Sequence, residues 1–183
     1  MSLTAQRLSG YLAQNGILTC NQNPYLPALE DIGCGWADVC ALIDSHELFY
    51  CKAFRKRTTY LSPKAYFLLK QCRRSAPMDE NSWIIYAILS SGPALNTETI
   101  RGLSGLPPKE YAKAFNALLE NMDITAVANG QVLNPNWSTF LYSTASTWEA
   151  HVKERPVSTD PKAELWRIFS NTMSEQDFHR ITK

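Results

Sequence analysis

The amino-acid sequence predicts a mainly α-helical α+β protein with small β-hairpins. Three observations favour this class. Apolar residues recur at helical spacing in several segments. A short aromatic-rich stretch at residues 48–61 alternates and turns as a hairpin does. Ser62 and Asp160 each precede a proline, a pairing that is typical of a helix start. The most regular apolar stripe comprises Tyr111, Phe115, Leu118, Leu119 and Met122.

Composition limits the class of protein. The chain has 183 residues, of which 45% are hydrophobic and 19% charged, so it can bury a core and is not disordered as a whole. It contains no run of about 20 apolar residues and no secretory signal at its start, and we therefore expect a cytoplasmic protein. The five cysteines form no C-x-x-C pair and the three histidines are scattered. We expect reduced core thiols, no metal and no cofactor.

The first half of the chain predicts helices at 4–15 and 36–44 with a loop at 20–35 between them. Strands follow at 48–54 and 58–61, with Arg55, Lys56 and Arg57 at their turn. A helix then begins at Ser62-Pro63 and continues to about residue 74.

The second half predicts three helices followed by a hairpin. The first helix contains Trp83, Ile84, Ala87 and Ile88 at helical spacing, the second begins at Thr97 and the third at Pro107-Pro108. Strands at 124–128 and 131–133 flank Asn129-Gly130, which predicts a type I′ turn. Helix, helix, turn, longer helix and hairpin is the order of a winged helix-turn-helix.

These elements predict three regions. Residues 1–76 form a helical and hairpin subdomain, which could be a degenerate winged helix. Residues 80–142 form the winged helix-turn-helix, after a linker at 75–80, and residues 143–183 form C-terminal helices that pack on the core.

The charge is unevenly distributed. Between Lys52 and Arg74 there are eight basic residues and no acidic one, whereas the rest of the chain has ten basic and seventeen acidic residues. Such clustering is typical of a polyanion-binding surface, although a solvated helix face with a charged turn is an equally good interpretation. The third predicted helix adds polar residues, but residues 108–123 carry a net charge of minus one. The candidate nucleic-acid-binding residues are Arg55, Lys56, Arg57, Lys64, Lys70, Arg73, Arg74, Lys109, Lys113 and Asn116.

No catalytic motif is present. The sequence lacks a Gly-rich phosphate loop, a G-x-S-x-G elbow and an H-E-x-x-H helix. Asp44, His46 and Glu47 lie close together and could activate water, although a solvated helix end explains them as well.

The segment from Trp36 to Arg74 resembles the front of small bacterial proteins related to the winged-helix, AlkZ-type DNA glycosylases, and the resemblance extends over most of residues 36–183. Those enzymes excise alkylated or crosslinked purines, so the resemblance implies a winged-helix architecture and binding of damaged DNA. Their Gln-x-Gln or Gln-x-Asp catalytic motif is absent here. The residues two positions after the six glutamines are Leu8, Gly16, Pro24, Arg73, Leu133 and Phe178.

Three functions follow as hypotheses. The first is a winged-helix protein that binds nucleic acid, including damaged or distorted DNA, without catalysis. The second is a scaffold for protein–protein interaction, and the third is a glycosylase-like hydrolase that uses Asp44 or Glu47. Under the first hypothesis we expect Arg55, Lys56 and Arg57 to project into solvent and to contribute more to binding than Lys109 and Lys113 do.

Overall fold

The computed structural model describes residues 1–134, 137–153 and 155–183, and it describes their side chains except at 131–134, 137 and 138. Within these residues the protein is α+β, with helices and two small antiparallel sheets, as predicted. The helices are α1 (Leu3–Asn15), α2 (Trp36–Asp44), α3 (Pro63–Cys72), α4 (Glu80–Ser90), α5 (Thr97–Ser104), α6 (Pro108–Glu120), α7 (Ala145–His151), α8 (Pro161–Phe169) and α9 (Glu175–Ile181). The strands are β1 (Ile17–Thr19), β2 (Phe49–Phe54), β3 (Arg57–Leu61), β4 (Ile124–Asn134) and β5 (Trp137–Thr144).

Local capping explains where several helices begin and end. Ser62 Oγ accepts a hydrogen bond from Ala65 N at 3.2 Å, and Asp160 Oδ1 accepts one from Ala163 N at 3.0 Å. Gly16 ends α1 at φ 75°, and a Cβ atom there would lie 2.8 Å from both Ile168 and Phe169. Glycine is therefore required at this position by both conformation and space.

The first half of the chain is built around a three-stranded sheet in the order β1-β3-β2. The chain passes through α1, β1, a 3₁₀ turn at Glu30–Ile32 and α2 before it enters the β2–β3 hairpin. The short strand β1 was not predicted. Strand β1 pairs with β3, the second strand of the β2–β3 hairpin.

The second half repeats this order. Helices α4, α5 and α6 precede the β4–β5 hairpin, and Leu95, between α4 and α5, bridges to Tyr142 on β5. Two backbone hydrogen bonds of 3.0 and 2.8 Å join these two residues. The short segment thus pairs with the second hairpin strand, as β1 pairs with β3.

The predicted hairpin turn at Asn129-Gly130 is wrong. Strand β4 continues through both residues to Asn134, and the connection to β5 lies outside the described residues. Asp44 Oδ1 accepts a hydrogen bond from Asn129 N at 2.8 Å, and Asp44 Oδ2 accepts one from Asn129 Nδ2 at 2.7 Å. A tertiary partner from α2 therefore holds the Asn-Gly pair in the strand, where the register shifts.

Helical spacing alone did not identify the buried face of α4. Ile85 and Leu89 are buried, whereas Trp83 is 58% exposed and Ala87 is exposed. All five members of the predicted apolar stripe are buried; four lie on α6, and Met122 lies in the turn that follows it.

The two halves of the chain pack closely against each other. Helix α2 lies against β4, and its Trp36 stacks on Phe140 of the neighbouring strand β5 at a ring-centroid distance of 4.7 Å. Helix α6 lies against β2, where Lys52 donates a hydrogen bond of 2.7 Å to Asn116. Each half thus places its third helical element on the hairpin of the other half.

The C-terminal helices complete a second part of the core. Trp148 on α7 is fully buried and contacts Phe49 and Tyr66 edge-on, while α8 packs on α3. None of the helices described is long and apolar enough to cross a membrane.

Candidate nucleic-acid interface

The basic segment folds back on acidic residues from distant parts of the chain. Arg55 forms an ion pair of 2.7 Å with Asp177, whose side chain is 5% exposed, and its guanidinium lies 3.7 Å from the centre of the Tyr25 ring. Lys56 Nζ lies 3.7 Å from a carboxylate oxygen of Glu120. The expectation that the turn side chains project into solvent is therefore wrong for Arg55, whereas the Lys56 side chain is 80% exposed.

Two lysines of α3 are ion-paired on separate faces. Lys64 contacts Glu164 at 2.7 Å beside α8, and Lys70 contacts Glu149 at 2.5 Å beside α7. The Tyr66 hydroxyl donates to the same Glu149 carboxylate, and burial together with this acid raises the pKa of Tyr66. Glu149 is thus held by two donors.

A continuous polar surface follows α6. Lys109, Lys113, Asn116 and Glu120 recur at spacings of four, three and four residues, so they form one stripe along the helix. Lys109 and Lys113 are exposed, and neither forms an ion pair with a residue that the structure describes. Other segments border the far end of the stripe, where Arg73 donates a 3.0 Å hydrogen bond to the Glu120 carbonyl. We define the basic surface as Lys52, Lys56, Lys70, Arg73, Arg74, Lys109 and Lys113.

A cavity of about 160 Å³ opens at the α3 end of this surface. Lys70, Arg73 and Arg74 line it together with Tyr86 and Asp123. The structure thus brings three of the sequence-predicted residues to one site. Arg74 is exposed and forms no ion pair with any residue that the structure describes.

Asp123 is the unexpected member of this cavity. Burial raises the pKa of its carboxyl to about 6, and the nearby Arg73 and Lys70 partly offset that rise. Its Oδ2 atom is buried and has no hydrogen-bond partner among the described residues. In the sequence, the only indication of this residue was its place directly after Met122, the last residue of the apolar stripe.

The two carboxylates of the acid–base cluster considered in the sequence have different hydrogen-bond partners. Asp44 is directed to Asn129, whereas Glu47 accepts a 3.0 Å hydrogen bond from Ser9. Asp44 and Glu47 therefore have separate partners, and the hydrolase hypothesis stays a prediction.

Glu47 instead lines a larger cleft of about 870 Å³ with His46 and His151. The two imidazole rings stack at 4.6 Å between centroids. Burial, followed by the charge of His151, lowers the pKa of His46, and Asp44 partly offsets that fall. The sequence named His46 beside Asp44 and Glu47 but did not pair it with His151, because 105 residues separate the two histidines and only tertiary folding brings the rings together.

The cysteines and acidic side chains show no metal-site geometry. Cys51 is buried, and the other four cysteines are partly exposed free thiols. Across residues 1–134, 137–153 and 155–183, no three His, Cys, Asp or Glu side chains are grouped to hold a metal ion.

The fold and the site define an α+β protein with a basic surface that ends in a small polar cavity. The chain matches the family model described as AlkZ related over residues 36–183, and it belongs to this family. The relation to AlkZ-type DNA glycosylases expected from the resemblance is therefore confirmed. Comparison with curated proteins and with solved structures gave no match.

Proposed function

We propose that this protein binds nucleic acid through the basic surface and has no catalytic activity of its own. The observation that carries the proposal is continuity: cations from β2, from the β2–β3 turn and from α3 extend the exposed lysines of α6. A row of cations at the surface attracts a phosphate backbone by releasing counterions. A relation to DNA glycosylases supports the same class of partner.

A winged-helix interpretation fits the order of the elements in both halves. Each half has helices followed by a hairpin, with a short preceding segment paired to the second hairpin strand. Under this interpretation residues 80–142 form one winged helix-turn-helix and residues 1–76 contain a second, divergent one. Residues 143–183 then complete the core. A cytoplasmic location also stays a prediction.

The mode of binding differs from insertion of a free recognition helix into the major groove. Lys52, Lys56 and Arg73 contact the C-terminal half of α6, and β4 packs against α2. Only the Lys109–Lys113 end of α6 is exposed along its polar stripe. We therefore expect phosphate contacts across the surface with little reading of base sequence.

A scaffold for protein partners is the second candidate. Internal ion pairing favours it, because Arg55, Lys64 and Lys70 each contact an acidic residue. Such pairs leave less charge for a phosphate backbone. In the scaffold hypothesis the protein has no nucleic-acid affinity at low salt.

Fluorescence anisotropy with duplex, nicked and single-stranded DNA over a salt series tests the proposal. We expect binding that weakens steeply with salt. Replacing Lys109 and Lys113 together with alanine should lower the slope of log affinity against log salt by roughly two units, because each phosphate contact contributes about one.

A matched control replaces Lys162 and Arg167 on α8, two exposed cations of the same total charge that lie on a helix packed against α3 and α1. The control should leave the slope unchanged. Absence of binding to all three DNAs at micromolar protein would refute the proposal and leave the scaffold. An equal effect of both double variants would place the interface elsewhere.

A further inference from the structure

An exposed and a partly buried aromatic ring lie beside the cavity at the end of the basic surface. Trp83 and Tyr86 lie one helical turn apart on α4, and their rings stack at 5.8 Å between centroids with an interplanar angle of 24°. Tyr86 lines the cavity, and Trp83 is 58% exposed. Together the two rings form an aromatic surface on which a flat partner can stack.

The charges beside these rings define what the aromatic pair can bind. Arg74 is exposed and unpaired among the residues that the structure describes, and Lys70 and Arg73 line the same cavity. Arg73 commits one guanidinium nitrogen to the Glu120 carbonyl, so other donors of its guanidinium remain. Lys70 is paired with Glu149 and Arg73 lies beside Asp123, so Arg74 is the cation of this cavity that has no ion-pair partner among the described residues. An apolar partner would leave Arg74 without a counter-charge, whereas a phosphodiester supplies one.

The volume of the cavity limits which part of a nucleotide can enter it. A volume of about 160 Å³ is too small for a whole nucleotide but suits a single phosphate group. The base of a nucleotide whose phosphate enters the cavity must therefore lie outside it, against the rings. Bases in a duplex are already stacked on their neighbours, and only unpaired bases can stack on a side chain.

We infer that the Trp83–Tyr86 pair and the adjoining Lys70–Arg73–Arg74 cavity form a subsite for unpaired nucleotides, with a base stacked on the rings and its phosphate at the cations. This inference rests on the proposed nucleic-acid binding and deepens it by naming single-stranded or unpaired segments as the ligand. The Lys109–Lys113 end of the basic surface then contacts the flanking backbone.

The test compares a labelled oligothymidylate of about ten nucleotides with a hairpin-capped duplex, because single-strand sites of this kind span several nucleotides. Trp83→Ala should weaken oligothymidylate binding roughly tenfold, the loss of one base stack, and should affect the duplex less. Trp83→Phe should retain most of the affinity, since a ring remains. Arg74→Ala should weaken binding to the oligothymidylate and lower its salt slope by about one unit.

Two controls match these variants in exposure and chemistry. Leu3→Ala removes an apolar side chain that is 83% exposed on α1, and Arg167→Ala removes an exposed arginine on α8. Neither should change the affinity for oligothymidylate. Thermal melting establishes that each variant is folded, and Arg74→Ala tests the subsite independently if Trp83→Ala does not fold.

The outcomes separate this inference from the proposed function. Duplex binding that depends on Lys109 and Lys113, with no effect of Trp83→Ala or Arg74→Ala on oligothymidylate, overturns the subsite alone. Failure to bind any nucleic acid overturns both. A dimer seen by light scattering that Trp83→Ala dissociates also overturns the subsite, because a second copy of the chain then covers the rings.

Discussion

At the scale of single residues, neighbours in sequence have different roles because their spatial partners differ. Arg55 and Arg57 lie two positions apart in the same turn, but Arg55 is fixed between Asp177 and Tyr25 whereas Arg57 is exposed. The sequence correctly placed these arginines at the turn between two strands. It could not assign their partners, because Asp177 is 122 residues away from Arg55.

Asp123 is a residue whose charge opposes folding. Burial raises the pKa of its carboxyl to about 6 from a usual value near 3.8, so the folded state binds the proton more tightly than the unfolded chain does. Its stabilising contribution is complete below about pH 4 and is lost as the pH rises through 6. Asp123→Asn should therefore raise the free energy of unfolding by about 1 kcal/mol at neutral pH, a value reduced for partial exposure, and the gain should vanish near pH 4.

Urea denaturation of both proteins across this pH range measures the difference. Glu98→Gln makes the same change of charge at an exposed position and should give no comparable gain. A gain for Asp123→Asn that is equal at both ends of the pH range would show that charge burial is not its cause.

At the scale of the elements, the regular patterns were predicted and the irregular ones were not. The α6 stripe is unambiguous because large apolar residues occupy one face only. On α4 apolar residues occur all round the helix, so Ile85 and Trp83 were equally good candidates for the core, and packing chose Ile85. The prediction of a turn at Asn129-Gly130 was wrong for another reason. Asp44, which is distant in sequence, supplies hydrogen-bond acceptors to Asn129 that the local sequence does not contain.

One hydroxyl joins the two hairpins. Strand β2 is the edge of its sheet, and fully buried Thr125 on β4 covers that edge: its Oγ1 accepts a 3.0 Å hydrogen bond from Tyr50 N and donates one of 2.9 Å to Tyr50 O. Thr125→Val keeps the shape but leaves both backbone groups of Tyr50 unsatisfied. We expect it to lower the free energy of unfolding by about 2–3 kcal/mol.

Thr125→Ser is the matched variant, because it retains the hydroxyl and loses one methyl group. It should cost only about 1 kcal/mol. Denaturant titration of the two variants distinguishes hydrogen bonding from packing: if serine destabilises as much as valine does, the methyl group and not the hydroxyl matters at this position.

At the scale of the whole molecule, the sequence predicted most helices and the order of the second half, and the family relation followed from the segment after Trp36. It missed β1 and the cross-packing of the halves, because three-residue strands and interfaces leave no periodic signal. The aromatic and acidic members of the cavity were missed for the same reason. Tyr86 and Asp123 are 37 residues apart and meet only after the core has formed.

The two halves share their core, and this determines how the molecule unfolds. One buried cluster contains Leu8, Val39 and Tyr60 from the first half as well as Ile85 and Leu118 from the second. Separating the halves would expose this apolar surface, which is the main stabilising contribution to a fold of this size. We therefore expect that the two sides of the predicted boundary near residues 75–80 do not unfold separately.

We expect a single cooperative thermal transition, with a calorimetric enthalpy equal to the van't Hoff enthalpy. Thr125→Val should lower the melting temperature without splitting the transition. It removes the hydrogen bonds between Thr125 and Tyr50, whereas the buried apolar cluster shared by the two halves remains. Differential scanning calorimetry measures both enthalpies on the full chain, and limited proteolysis near residues 75–80 provides an independent check. Two resolved transitions, or a cleaved fragment that keeps its fold alone, would mean that the halves are independent domains and that their contact is an interface between them.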